Sequence, residues 1–180
     1  MRLIRTATLC ILLILPLSGC AAIPLTDEAK ARNLLDGLAQ FYKTDAVIRS
    51  GELEVRAHIY RPDPLSLTAE LLSPERLAGF RYTLGEGVVE MHYHGLTFNL
   101  DPFGATRTAP IPRAVGALTA LLIPEAERPL PTLENGVWQL AGSFDGEDCV
   151  LFLSEEGKPL KLLLKASQVE FVFENFVFLN

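Results

Sequence analysis

The residues with the clearest potential for metal chemistry are Glu90, His92 and His94, which alternate along one short segment. On a β-strand, side chains two positions apart share a face, so the three would form one row, and His58 on another strand could join them. A zinc site needs three or four ligands that converge on the ion within about 2.0 to 2.3 Å. Nothing in the spacing imposes this convergence, and a solvent-facing polar row is the simpler interpretation. We therefore predict neither a metal site nor a cofactor.

The sequence lacks the motifs of the common hydrolases and nucleotide-binding enzymes. It contains no Gly-x-Ser-x-Gly, Cys-x-x-Cys, phosphate-binding loop or His-Glu-x-x-His, and no serine stands in a recognisable nucleophile frame. Cys149 lies in an apolar strand pattern, which predicts a buried, unreactive thiol rather than a nucleophile or ligand. We predict that the protein is not an enzyme and has no catalytic residues.

Residues 1–19 have the order of a secretory signal peptide. Arg2 and Arg5 precede an apolar stretch from Ala7 to Leu17, and small residues follow it. The apolar stretch is about half of the roughly 20 residues that a membrane-spanning helix needs. It therefore predicts a cleaved signal rather than a permanent transmembrane anchor.

The end of this signal, Leu17-Ser18-Gly19-Cys20, resembles the bacterial lipobox at all four positions. The resemblance implies cleavage before Cys20 and attachment of a diacylglyceryl group to its sulfur, with palmitate-like chains in the membrane. Residues 20–26 would then be a lipidated N-terminus with a short tether, and residues 27–180 a single domain. An ordinary signal with a stray cysteine is the alternative.

The charge of the chain excludes some partners. The full sequence has 16 Lys and Arg against 22 Asp and Glu, a formal net charge of −6. Loss of Arg2 and Arg5 with the signal leaves 14 against 22, a net charge of −8. Nucleic acids and anionic headgroups need clustered basic residues, so we predict no nucleic-acid partner and a membrane attachment through lipid alone.

Two segments have helical spacing. After Thr26, which is suited to cap a helix, the apolar positions are Ala31, Leu34, Leu35, Leu38, Phe41 and Tyr42. The second set, between prolines in mid-chain and ended by Pro124, is Ile111, Ala114, Val115, Leu118, Leu121 and Leu122. Both helices are amphipathic and need an apolar surface to lie on.

The remaining chain has the period of β-strands. Alternation or short apolar runs between glycine turns predict strands at 53–59, 65–71, 78–84, 88–93, 96–100, 137–144, 149–153, 160–165 and from 168 onward. Short turns require antiparallel neighbours. Several later strands are apolar on both faces, which requires cover on each side or an apolar lumen. A curved antiparallel sheet around a cavity, with helices across its mouth, satisfies this requirement.

This order of elements resembles the LolA and LolB superfamily, the carrier and receptor of bacterial lipoprotein sorting, over about residues 27–180. Arg61-Pro62 is similar to a strand-ending Arg-Pro of the carrier, and Gly95 to Phe98 with Asp101-Pro102 is similar to a second family stretch. Asn99 departs from that stretch, which has tryptophan there. The resemblance implies an unclosed half-barrel of about nine to eleven strands, with the N-terminal and mid-chain helices as a lid. It also implies that Arg61 bonds the backbone of the lid helix, against the alternative of a solvated strand-end charge.

The resemblance further implies an apolar cavity for acyl chains, lipid or a lipidated protein. We predict as lining residues, each with ordinary core packing as the alternative, Leu67, Phe80, Tyr82, Met91, Tyr93, Phe98, Trp138, Phe152, Phe171 and Phe173.

The predicted function is a membrane-anchored lipoprotein that handles lipid or lipoprotein in the cell envelope. A structural or partner-docking envelope lipoprotein with a filled cavity is the alternative. We expect an extracytoplasmic location, at the outer membrane of a Gram-negative cell, where Ala21 permits export, or on the outer face of a Gram-positive cell membrane.

Overall fold

The computed structural model describes residues 26–63, 66–85, 88–100, 109–122 and 129–179. The predicted signal peptide and Cys20 lie outside these residues, as do Asp101, Pro102 and Pro124. The helices are α1 (Asp27–Leu38) and α2 (Pro110–Leu122). The strands of the first half are β1 (Tyr42–Ser50), β2 (Leu53–Asp63), β3 (Ser66–Ser73), β4 (Arg81–Gly85), β5 (Val88–Tyr93) and β6 (Leu96–Leu100), with a 3₁₀ turn at Glu75–Leu77. The strands of the second half are β7 (Thr132–Glu134), β8 (Val137–Phe144), β9 (Glu147–Leu153), β10 (Pro159–Leu164) and β11 (Val169–Phe178).

All eleven described strands belong to one antiparallel sheet with the order β6-β5-β4-β3-β2-β1-β11-β10-β9-β8-β7. Each half of the chain is a meander, and the two meanders join where β1 pairs with β11. The sheet does not close, because β6 and β7 form its two edges and pair only inward. The predicted fold class, an unclosed antiparallel half-barrel of nine to eleven strands with two helices, is confirmed.

Tight turns set the register of several hairpins. His94-Gly95, Asn135-Gly136 and Asp145-Gly146 each place two successive residues at positive φ, with values between 48° and 80°. This is the backbone of a two-residue type I′ turn, which matches the twist of antiparallel strands and favours glycine at the second position. Two of these turns, His94-Gly95 and Asp145-Gly146, lie where the sequence predicts a glycine turn, between the strands at 88–93 and 96–100 and between those at 137–144 and 149–153.

Helix α2 covers the inner face of the sheet. It is apolar around most of its circumference and is buried along its length, as expected for a helix enclosed in a core. A Cβ atom on Gly116 would lie 2.6 Å from Phe144 Cζ, and one on Gly142 would lie 2.6 Å from Leu121 Cδ2. Glycine at these two positions therefore lets α2 approach β8 closely.

The prediction for the first helix and the strand after it is partly wrong. Thr26 is the N-cap, and its hydroxyl accepts a hydrogen bond from Ala29 N at 3.2 Å. The helix ends at Leu38, however, whereas its predicted apolar face continued to Tyr42, and Tyr42 instead begins β1. β1 was missed because its pattern is irregular: Val47 is buried on the outer face and Thr44 on the inner face. Pairing with β2 on one side and β11 on the other overrides the local helical spacing.

Candidate functional site

On the side of β6, apolar side chains of the inner face remain exposed among the described residues. Six side chains, which we call the edge patch, point to this face from β4 to β6 and the residue before β4: Phe80, Tyr82, Met91, Tyr93, Leu96 and Phe98. Cross-strand pairing places Met91 opposite both Tyr82 and Phe98. The rings of Phe80 and Tyr93 stack with centroids 3.9 Å apart. The patch contains no charged residue type.

Burial on the inner face falls from the centre of the sheet towards β6. Leu67 on β3 is fully buried, and Tyr82 and Met91 are half-buried. Phe98 and Leu96 on β6 are 44% and 59% exposed. Contiguous apolar side chains that remain exposed to water are typical of a binding surface rather than of a packed core.

The predicted lining residues divide into three groups. Leu67, Trp138, Phe171 and Phe173 are buried in the core cluster that includes α2. Five others belong to the edge patch. Phe152 lies on the outer face opposite Lys161, whose Nζ is 5.2 Å from the centre of its ring, so its prediction as a lining residue is wrong. Because both faces of β9 are apolar, the sequence does not show which of its alternate residues point inward, and pairing with β10 decides this.

Arg61 is buried at the end of β2 and contacts helix α2. Its side chain is on the inner face opposite Tyr42, and the residue is 2% exposed. Nη2 donates to the carbonyl oxygen of Leu122 at 3.3 Å, and Nε donates to the carbonyl oxygen of Asp63 at 3.4 Å. The guanidinium lies 6.0 Å from the ring centre of Tyr42, and burial raises the pKa of that phenol. The alternative of a solvated charge is wrong, and a cation at a helix C-terminus is favourable.

An ion pair between Arg113 and Glu147, which no sequence motif predicts, holds the other end of α2. Arg113 Nη2 lies 2.7 Å from Glu147 Oε2, in a carboxylate side chain that is 3% exposed. The backbone N–H of Ser167 donates to Glu147 Oε1, and its hydroxyl donates to Oε2 at 3.1 Å. Burial acts to raise the pKa of Glu147, but the Ser167 hydrogen bonds and the charge of Arg113 outweigh it and lower that pKa. The available signal was Arg113 itself, the single charge in an apolar helix.

The candidate metal ligands do not converge. His94 lies in the turn between β5 and β6 with a positive φ of 48°, and its ring forms an edge contact with that of Tyr93. His92 contacts Glu90 and Thr97, and His58 pairs with Asp45 at 2.9 Å. Within the described ranges, no three His, Cys, Asp or Glu side chains form a cluster that could hold a metal ion.

Cys149 is buried on the inner side of β9. Burial, together with the nearby Glu147 and Asp148 carboxylates, raises the pKa of its thiol to about 11. The thiolate is therefore disfavoured at neutral pH, as predicted for an unreactive cysteine.

None of the helices in the described part of the chain combines the length and the apolar character needed to cross a membrane.

Comparison with known proteins finds similar folds only. No protein-family model and no curated protein matches the sequence. An uncharacterized conserved protein from Thermus thermophilus is 14% identical, with a TM-score of 0.52 over 84% of this chain and 86% of that chain. A LolA superfamily protein from Nitrosomonas europaea is 9% identical, with a TM-score of 0.42 over 83% of this chain and 94% of that chain. The lipoprotein LppX from Mycobacterium tuberculosis is 7% identical, with a TM-score of 0.39 over 82% and 91%.

Structural neighbours of this chain thus include a LolA superfamily protein. Because the identity is only 14%, the likeness to the Thermus protein concerns the fold alone. We draw nothing further from the other two, whose TM-scores are below 0.5.

Proposed function

We propose that this protein is an envelope lipoprotein, anchored by lipid at Cys20, whose edge patch binds the acyl chains of a lipid or of a lipidated protein. The observation that carries the proposal is the exposed, uncharged edge patch beside a core that α2 otherwise fills. The lipobox-like tetrad supports the anchor and an extracytoplasmic location. The protein acts by binding, without catalysis.

Acyl chains fit the chemistry of the edge patch. Tyr82, Met91 and Phe98 follow one another across three strands and offer a continuous apolar track. Burial raises the pKa of Tyr82, so its phenol stays neutral. Each methylene group that moves from water to such a surface contributes about 0.8 kcal/mol.

The position of α2 determines where a chain would lie. Arg113 with Glu147 at its first turn and Arg61 at its last turn hold α2 in the middle of the inner face. Leu118 and Phe171 are fully buried there. A bound chain therefore lies beside α2, towards β6, and enters the centre only if one anchor releases the helix.

A partner-docking role is the second candidate. It is favoured by the same burial of Leu118 and Phe171, which leaves the centre of the inner face filled. In that case the edge patch is a contact surface for a protein, and no lipid copurifies.

Native mass spectrometry separates the two candidates. The chain from residue 21, which lacks the signal and the acylated cysteine, is purified without detergent. We expect bound fatty acid or phospholipid, with occupancy at least several-fold lower in Phe98→Asp. Val88→Asp is the matched control, because Val88 is 46% exposed on the outer face of the adjacent strand. A wild-type chain without lipid that captures a membrane protein through the edge patch would replace the first candidate by the second.

A further inference from the structure

The outer face of β2 to β5 carries a groove of about 390 Å³ that the proposed function does not use. It lies on the opposite side of the sheet from the edge patch. Its volume is within the range of small-molecule sites, about 300 to 1,000 Å³. Its floor is formed by two threonines, Thr68 and Thr83, which are cross-strand neighbours.

The walls of the groove are long side chains in the adjacent register positions. Glu70 and Arg81 form one cross-strand pair, with His58 opposite Glu70 and His92 opposite Arg81. Tyr60, opposite Thr68, is the aromatic member and is 43% exposed. The groove exists because the threonine side chains of its floor are shorter than the surrounding side chains.

Each basic group of the groove already faces a carboxylate. Arg81 Nη2 lies 3.4 Å from Glu70 Oε2, and His92 Nε2 lies 3.3 Å from Glu90 Oε2. His58 Nδ1 lies 2.9 Å from Asp45 Oδ1. Among the lining residues, the carboxylate of Glu70 faces the guanidinium of Arg81, and the imidazole and threonine groups add both donors and acceptors.

We propose that this groove binds a neutral saccharide. A pyranose ring presents C–H groups on one face, which pack on an exposed aromatic ring such as that of Tyr60. Its hydroxyls both donate and accept, which suits the paired carboxylate, guanidinium, imidazole and threonine groups. An anion would have to displace Glu70 from Arg81 in a chain with a net negative charge, and an apolar ligand would leave these polar groups unsatisfied.

Saturation-transfer difference NMR on the protein purified in detergent from cells that express the full-length chain tests this site. The detergent is lauryldimethylamine oxide, which has no sugar headgroup, and the probes are cellobiose, maltose and N,N′-diacetylchitobiose. We expect saturable transfer to the ring protons of at least one probe and an affinity about fivefold weaker in Tyr60→Ala. Phe41→Ala is the matched control, because Phe41 is also 43% exposed and lies outside the groove.

A third variant, Thr83→Tyr, fills the floor and should abolish the saturable transfer. The proposal is overturned if no probe shows saturable transfer, or if Tyr60→Ala and Phe41→Ala change it equally. It is also overturned if inorganic phosphate displaces the sugar probe from the groove at equal concentration, since the groove would then prefer an anionic ligand to a neutral one. These outcomes are independent of the proposed function, because lipid binding is tested at the edge patch, on the opposite face of the sheet.

Discussion

The first turn of α2 contacts the carboxylate of Glu147, which ties together three parts of the chain. It receives Arg113 from the helix and Ser167 from the turn between β10 and β11, while it stands at the start of β9. When one partner of a buried ion pair is removed, the remaining charge is still withdrawn from water, and no opposite charge compensates for this. The pair therefore fixes the position of α2 rather than adding much net stability of its own.

We expect Glu147→Ala to lower the free energy of unfolding by about 2 to 4 kcal/mol, because Arg113 is left partly buried without its carboxylate. Urea denaturation measures this change. Glu156→Ala is the control: its carboxylate also lies 2.7 Å from an ammonium, that of Lys158, but is 72% exposed. That variant should lose much less stability, because its ion pair is formed in water. Equal losses in the two variants would mean that burial of the Glu147 pair has no energetic consequence.

The same carboxylate predicts a pH dependence. The pKa of Glu147 is lowered in the folded protein from an ordinary value of 4.5. Its contribution to stability is therefore complete above the unfolded pKa and is lost as the pH falls through the lower folded pKa. The stability difference between wild type and Glu147→Gln should be constant from pH 7 to pH 5 and should shrink as the pH falls further below 4.5. A difference that grows on acidification would contradict the assignment.

At the scale of elements, α2 is held at its two ends by different chemistry. Its C-terminal end contributes the Leu122 carbonyl to a buried guanidinium, whereas its first turn contributes the Arg113 cation. Between these ends, glycine in the helix and in β8 allows close packing. The helix is thus clamped onto the sheet rather than hinged at one end.

We expect Arg61→Met to destabilise the protein by about 2 kcal/mol through loss of charged hydrogen bonds, and to loosen the last turn of α2 selectively. Amide hydrogen exchange should quicken at 118–122, while the amides of residues 113–115, which begin with the bond from Arg113 N to the carbonyl of Ala109, keep their protection. Arg56→Met, on the same strand but exposed, is the control, since its contact with Glu174 at 3.7 Å lies in water. If exchange in Arg61→Met quickened equally along the whole of α2, the two ends of the helix would not be held independently.

The elements themselves were predictable to the extent that their patterns are local. Thr26 caps a helix by its own side chain, and glycine turns mark the hairpins before any pairing is known. β1 was not predictable from its own residues, because Val47 is buried on the outer face and Thr44 on the inner face, and because its second partner, β11, lies at the far end of the chain. The face on which Phe152 lies was not predictable either. In a strand that is apolar on both sides, only the pairing with its neighbours decides which alternate residues point inward. The Glu147 contact joins residues 20 or more positions apart, beyond any sequence motif.

At the scale of the whole molecule, one sheet presents two chemically different surfaces. The inner face is apolar, filled by α2 at its centre and exposed towards β6. The outer face of β2 to β5 is polar, with paired charges around a groove. A lipid tether at the N-terminus would keep both surfaces close to a membrane.

The proposed lipid tether at Cys20 can be tested directly. Cys20→Ala should abolish incorporation of labelled palmitate and leave a precursor that keeps residues 1–19, because cleavage of such signals requires the acylated cysteine. Gel mobility and intact mass report the precursor. Cys10→Ala, in the apolar stretch of the signal, should be labelled and processed as wild type. Incorporation of labelled palmitate into Cys20→Ala would show that the lipid is attached to another residue.

The central claim is that an acyl chain lies on the edge patch, and Met91 offers a direct probe of it. The sequence contains two methionines, Met1 and Met91. In a chain that begins at residue 25, where Leu25 is too large for the initiator methionine to be removed, ¹³C-methyl labelling therefore gives Met91 and that initiator methionine, whose signal serves as the internal reference. With 16-doxyl-stearate we predict selective, saturable broadening of the Met91 methyl resonance, reversed by unlabelled stearate and weakened in Phe98→Asp. A Met91 resonance that broadens no more than the reference at saturating spin label would contradict the account.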